Sequence, residues 1–210
     1  MPKILLADDH AVVRHGLIQI LREAMPRARF GEAETGRETL DLVRREAWDV
    51  ALLDISLPDK NGLEVLKEIR LAAPRLPVLI LSMYPEEQFA VRALRAGAAG
   101  YVTKRRASEE IVAAVRRVLA GRRYITDSVA ERLAVEVGRN LEKPPHQRLS
   151  DREYQVFGLL ARGHTVKAIA SELRVSVQTV STHRSRILEK MGARSNADLT
   201  EYALRERLLG

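Results

Sequence analysis

The chain has 210 residues, 46% of them hydrophobic, a net charge of +7 and no cysteine. That length suits two domains rather than one. The missing cysteine excludes disulfides, thiolate metal sites and cysteine nucleophiles, and no apolar run approaches the roughly 20 residues that span a bilayer. The N-terminus enters a strand at once and leaves no room for a signal peptide, so a soluble, cytoplasmic protein is expected. Net charge is +3 over 1–122, zero over 123–147 and +4 over 148–210. Basic charge is therefore densest at the C-terminal end, where it favours nucleic acid or an anionic surface.

In chain order, the sequence predicts strands near 3–8, 28–34, 49–54, 77–82 and 100–104, with helices at 11–25, 36–46, 62–72, 86–97 and 108–121. Short continuous apolar runs between helical patterns read as buried parallel strands, and five such βα units make a three-layer α/β domain. Pro58, Asp59, Asn61 and Gly62 form a βα turn, Pro74 and Pro77 bracket an αβ turn, and Gly97 and Gly100 close the fourth helix. Ser108, followed by Glu109 and Glu110, reads as the start of the last helix of this half.

Residues 123–147, with Pro144-Pro145, read as a linker carrying one helix near 126–138. Beyond it the pattern is wholly helical. Ser150-x-x-Glu153 is a capping box opening a helix to about 162, which Gly163 ends. A short helix spans 166–173, Ser176 caps another over 177–190 that Gly192 stops, and Ser195-x-x-Asp198 opens the last, 196–208.

Polar residues stand at the ends of four of the apolar runs: Asp8 and Asp9, Asp54, Ser82 and Lys104. In an open doubly wound sheet, ligands bind outside the carboxyl ends of the strands, and a flavodoxin-like order 2-1-3-4-5 sets strands 1 and 3 side by side. Asp8, Asp9 and Asp54 then converge. They repel unless a cation intervenes, and Mg²⁺ accepts a few carboxylates together with waters and phosphate oxygens. Lysine binds phosphate as a point charge, and one carboxylate can become an aspartyl phosphate. Asp54, ending the central strand, is the better nucleophile. Taken singly, an acid pair is often a helix cap, a strand-end lysine is usually solvated, and a strand-end serine often caps a turn. Their occurrence together at one edge carries the reading.

On these residues, with Leu57-Pro58, Gly62 and Tyr101, the segment 1–122 resembles the receiver domain of two-component response regulators. The resemblance implies that Asp8, Asp9 and Asp54 bind Mg²⁺, that Asp54 takes a phosphoryl group from a histidine kinase or a small acyl phosphate, and that Ser82 and Lys104 contact its oxygens. It implies that Tyr101 reports the state by turning inward or outward; the plainer reading of Tyr101 is a half-buried strand aromatic. Arg105 stands where many receivers have proline, and Met83 where a small residue is common.

Residues 166–190 read as helix, three-residue turn, helix. Ala168, Ile169, Ala170 and Leu173 give the first helix an apolar face; Val177, Val180, Ile187 and Met191 fall on one side of the second. Gln178, Ser181, Thr182, Ser185 and Arg186 fall on the other, and such a face suits a major groove. The segment 148–210 resembles the LuxR-type output domain of the NarL/FixJ subfamily, through Leu149-Ser150-x-Arg152-Glu153, Gly163, Lys167-x-Ile169-Ala170, Val175-Ser176, Thr179-Val180, His183, Ile187 and Lys190-Met191-Gly192. By that resemblance Gln178, Ser181, Thr182 and Ser185 face bases of double-stranded promoter DNA. Lys167, Thr179, His183, Arg186 and Lys190 are placed for phosphates, and Leu199, Tyr202 and Ala203 form the strip of a dimer helix. Ser181 departs from the family, where a basic residue is frequent, and His183 reads equally as a helix-packing histidine.

The expectation is a phosphorylation-controlled, homodimeric transcription factor with an α/β receiver and a smaller all-α helix-turn-helix domain. Two rivals use the same residues. A Mg²⁺-dependent phosphohydrolase resembling the haloacid dehalogenase family would need Asp-x-Asp after the first strand and a cap domain; here the pair is contiguous. A regulator that binds DNA without phosphorylation would not need the complete acid set.

Overall fold

A computed structural model describes residues 1–138 and 144–209. It divides into two compact units, Met1–Glu131 and Arg132–Gly210. Part of the expected linker, 139–143, lies outside the described residues.

The first unit alternates β1 (Lys3–Ala7), α1 (Ala11–Ala24), β2 (Arg29–Ala33), α2 (Gly36–Arg45), β3 (Val50–Asp54), α3 (Gly62–Ala72), β4 (Val78–Ser82), α4 (Glu86–Arg95), β5 (Gly100–Thr103) and α5 (Ala107–Leu119). The strands form one parallel sheet in the order β2-β1-β3-β4-β5. Every residue of β3 and β4 is buried, as expected of strands covered by helices on both faces. On one face Ile4, Leu6, Leu52 and Leu79 pack with Leu17, Ile18 and Leu21 of α1 and with Ile111, Val115 and Val118 of α5. The order sets the carboxyl ends of β1 and β3 side by side, as expected of a flavodoxin-like sheet.

Two features fix the loops at that edge. Asp59 accepts hydrogen bonds from the backbone N–H groups of Gly36 (2.7 Å) and Arg37 (3.0 Å), tying the loop after β3 to the start of α2. Gly62 opens α3 so close to β3 that a Cβ on it would lie 2.0 Å from the Asp54 carbonyl oxygen. At the other edge Tyr124 bridges to Gly100, with its N–H on the Ala99 carbonyl at 2.8 Å. The start of α5 corrects the sequence reading: the cap position is Arg106, without a side-chain cap bond, and Ser108 lies inside the helix.

In the second unit α7 (Asp151–Ala161), α8 (Val166–Glu172), α9 (Val177–Met191) and α10 (Asn196–Arg205) follow α6 (Asp127–Gly138), which begins in the first unit. Ser150, Thr165, Ser176 and Ser195 each cap one of the later four, accepting from the backbone N–H three residues on. Arg174 takes a left-handed conformation (φ 51°) in the turn between α8 and α9. The sequence reading missed a short 3-10 helix at Pro145–Arg148, within the expected linker. It brings His146 onto Tyr202 of α10, with Nδ1 and the hydroxyl 2.8 Å apart.

Glu153 joins the elements of this unit. One carboxylate closes the Ser150 capping box at the start of α7, and the same Oε2 meets Lys190 Nζ of α9 at 2.6 Å. Burial would raise its carboxyl, but Lys190 and the Ser150 backbone N–H hold it below the usual carboxylate range. A carboxyl with a depressed folded pKa stabilises fully above its unfolded value, about 4.3, and that stability is lost as pH falls through the folded pKa. Glu153→Gln should therefore destabilise this unit at pH 7 by the roughly 1.5–3 kcal/mol of a charged hydrogen bond, and so lower its unfolding temperature. It should also flatten the loss of stability below about pH 4.3. Thermal unfolding across pH checks both.

Candidate functional site

Asp54 ends β3, Asp8 and Asp9 follow β1, Ser82 ends β4 and Lys104 follows β5. Parallel strands carry their carboxyl ends to one edge, so these residues meet there. Lys104 reaches across the crevice with Nζ 2.6 Å from Asp8 Oδ2 and 2.7 Å from Asp54 Oδ2. Its backbone N–H is anchored on the Ser82 carbonyl at 2.7 Å. Asp54 Oδ1 accepts from the Ser56 N–H at 3.1 Å, and Asp8 Oδ1 from the His10 N–H at 2.9 Å. His10, the cap position of α1, makes no side-chain cap bond and sets Nδ1 2.7 Å from Asp9 Oδ1.

Asp8 and Asp54 are each about 1% exposed. Burial pushes the Asp54 carboxyl up and Asp8 adds to this, while Lys104 pulls it back. For Lys104, burial alone would lower the amine, but the two carboxylates outweigh it and hold it above its ordinary value. Two carboxylates, Asp8 and Asp54, thus share one ammonium group, with Asp9 beside them on His10. Asp8, Asp9, His10 and Asp54 can each turn one ligand atom into a group lying within 4.8 Å. Three of these four groups, Asp8, Asp9 and Asp54, supply carboxylate oxygens, and three hard oxygen ligands suit a small, hard divalent cation.

Ser82 is fully buried, and its Oγ accepts from the Tyr84 N–H at 3.0 Å. Tyr101 is turned inward, its hydroxyl donating to the Tyr84 carbonyl at 2.8 Å. Burial raises its pKa strongly, so it stays a neutral donor. Met83 stands 58% exposed beside this group. The sequence reading missed Arg14. On α1 it shares the i, i+3, i+4, i+7 face of Leu17, Ile18 and Leu21, and a charge within such an apolar stripe is the signal that marks it.

The second candidate surface is α9. Gln178, Thr182, Ser185 and Arg186 are exposed on it, and Lys167 is exposed on α8. Thr182 and Ser185 donate their hydroxyls to helix carbonyls four residues back, at 3.0 and 3.2 Å, which leaves their lone pairs outward. Ser181 and Thr179 are half-buried, the latter 2.8 Å from the Ser176 hydroxyl. His183 is half-buried as well; burial and the nearby Arg152 lower its pKa, and its Nδ1 lies inside the unit. The Lys190 ammonium is taken by Glu153.

Three apolar assignments need correction. Val177, expected on the inner face with Val180 and Ile187, is 50% exposed because it lies in the first turn, beyond the reach of the core. Ala168 is exposed on α8 for the same reason. Leu199 and Ala203 are fully buried in the unit's own core, where α10 packs on α7, and Tyr202 packs on His146 and Phe157. This strip is therefore not an open dimer face.

The response regulator receiver domain model matches residues 4–116, and that of the bacterial regulatory proteins of the luxR family matches 147–203. Response regulator GacA of Pseudomonas aeruginosa is 36% identical over 210 residues, covering 100% of this chain and 98% of that protein. Oxygen regulatory protein NreC of Staphylococcus carnosus is 37% identical, covering 99% of each. RcsB from Salmonella enterica serovar Typhimurium, solved bound to promoter P1flhDC in the presence of phosphomimetic BeF3⁻, superposes with a TM-score of 0.63 at 26% identity, covering 96% of this chain and 97% of that one. The chain belongs to the response regulator family. Its receiver and luxR-type helix-turn-helix together make it a NarL/FixJ-type member, a DNA-binding transcription regulator rather than a classical enzyme.

Removing the ammonium group that Asp8 and Asp54 share tests the charge balance of the acidic site. Lys104→Met should destabilise the first unit by about 3–5 kcal/mol at neutral pH, as buried charges left without a partner do. Without Lys104 the Asp54 carboxyl rises further, so the folded state binds its proton more tightly than the unfolded chain. Stability should then recover as pH falls toward 5, and on adding Mg²⁺ at pH 7.5. Unfolding temperatures under the three conditions check this.

Proposed function

We propose that Asp54 is the phosphoacceptor, that Asp8, Asp9 and Asp54 hold Mg²⁺, and that phosphorylation controls binding of promoter DNA by α9. The observation that carries the reading is the shared grip of Lys104 on Asp8 and Asp54 inside a crevice with excess negative charge. An Asp54 carboxylate oxygen attacks phosphorus in line. The new O–P bond forms as the bond to the donor breaks, and the donor leaves as imidazole, from a kinase phosphohistidine, or as carboxylate, from a small acyl phosphate. Mg²⁺, when bound, offsets the charge on the transferring oxygens and on the acids. Lys104 and Ser82 stand at the adjacent strand ends, placed to take phosphoryl oxygens by ion pair and hydrogen bond. The phosphoryl group brings roughly −2 charge, so it competes with Asp8 for Lys104. Ser82 holds the Tyr84 N–H and Tyr84 holds Tyr101, which links the acidic site to the inward packing of Tyr101.

In this reading residues 1–122 are the receiver, 123–147 the linker and 148–210 the output domain, working in the cytoplasm with a histidine kinase as partner. Among the described residues no helix is long and apolar enough to cross a membrane. Gln178, Ser181, Thr182 and Ser185 read base edges; Lys167 and Arg186, with Thr179, His183 and Lys190 at the flanks, meet phosphates. Lys190 must leave Glu153 to do so, and His183 contributes from a half-buried position. A homodimer binds half-sites about 10 bp apart. The face of α10 open to a second copy carries Leu204, which is 60% exposed.

Two experiments test the halves separately. Asp54→Asn should abolish labelling by acetyl phosphate in Mg²⁺ while leaving the circular dichroism spectrum unchanged; labelling at the wild-type level would overturn the assignment. On a site selected with the wild-type protein, Thr182→Ala should cost about 1–3 kcal/mol and relax preference at one position. Lys167→Ala should weaken cognate and scrambled DNA alike and reduce the salt slope by about one unit.

A further inference from the structure

The guanidinium of Arg14 is buried beside the acidic crevice, and nothing in the phosphoryl chemistry uses it. Arg14 is 5% exposed. Its Nη1 donates to the backbone carbonyl of Asp8 at 2.6 Å, its Nε to Glu32 at 3.1 Å and its Nη2 to Glu34 at 2.7 Å. The three acceptors belong to different places: the residue just past β1, the end of β2, and the turn beyond it. The last sheet bond here is from the Asp8 N–H to Ala33 at 3.1 Å. Past it the ladder runs out, and the Asp8 carbonyl is satisfied by the Arg14 fork. A planar fork of donors suits three acceptors in fixed directions, whereas a lysine offers one point charge.

Resting on the Mg²⁺ reading above, we propose that Arg14 is a positioning residue for the divalent-cation site, fixing the main chain from which Asp8 and Asp9 project. Asp8 is then held at both ends, its carbonyl by Arg14 and its carboxylate by Lys104 and the His10 N–H. Neighbours that orient metal ligands typically matter 10–100-fold in affinity.

The sign of the effect separates positioning from charge. Taking a cation away from a cluster of carboxylates, and leaving Glu32 and Glu34 without it, makes the region more negative. By Coulomb attraction alone this tightens Mg²⁺. Positioning requires the opposite. The experiment is a calorimetric titration of the full-length, unphosphorylated chain with MgCl₂, at a temperature where circular dichroism shows each variant folded. Arg14→Met should weaken Mg²⁺ at least tenfold, and Arg14→Lys should fail to restore it. The double variant Glu32→Gln/Glu34→Gln, which keeps the arginine and loosens its grip, should weaken Mg²⁺ in the same direction by less. If Arg14→Met does not fold, this double variant decides.

Unchanged or tighter Mg²⁺ binding in a folded Arg14→Met, or in the double variant where it decides, overturns the proposal. Wild-type chain that takes up no Mg²⁺ overturns the reading beneath it as well; wild-type binding with unaffected variants overturns only the role of Arg14.

Discussion

At the carboxyl edge of the receiver sheet two buried carboxylates share one ammonium group, and the surrounding architecture serves that contact. Lys104 leaves the end of β5, passes the end of β4 and reaches both Asp54 and Asp8. The path needs the strand order found here: β1 beside β3, and β4 between β3 and β5. Neighbouring strands lie about 4.8 Å apart, so only a long unbranched side chain can cross, and only over a small residue such as Ser82. Hydrophobic burial builds the sheet; its ends then hold charges where water cannot screen them well.

The second unit relies on a comparable economy of charge. Glu153 caps α7 and holds Lys190 of α9 with the same oxygen. The C-terminal end of α9 is thereby tied to α7, while Val180 and Ile187 bury one side of the helix and Gln178, Thr182, Ser185 and Arg186 stay exposed on the other. A helix packed along one side and open along the other presents a polar face to a partner, the arrangement a recognition helix uses in a major groove.

The parallel sheet and the placing of Asp8, Asp9, Asp54, Ser82 and Lys104 at one edge were legible, because strand ends in a parallel sheet share an edge whatever the loops do; the strand order came from the flavodoxin-like pattern, not from the residues themselves. What escaped depended on contacts between distant segments. Leu199, Tyr202 and Ala203 have the spacing of an interface stripe, and a core stripe has the same spacing; only the burial against α7 separates them. His146 lies in a stretch without periodicity, so its pairing with Tyr202 left no mark. Val177 fits the apolar series of α9 but lies in the first turn, where no neighbouring element covers it. Arg14 was visible as a charge in an apolar stripe, yet its three acceptors come from β1, β2 and the turn after β2, and only the folded chain brings them together.

The contact between Gly62 and the Asp54 carbonyl has a genetic consequence. Every missense change of a glycine codon adds at least a Cβ, and at position 62 that carbon would stand 2.0 Å from the carbonyl oxygen of the acidic strand and 2.8 Å from the Ile55 Cα. Neither neighbour is a flexible side chain that could swing aside; both are main chain. A saturation library scored for signalling would thus be depleted of every substitution at codon 62, although the residue carries no reactive group. Intolerance at a chemically blank position is how such a library would report the close approach of α3 to β3.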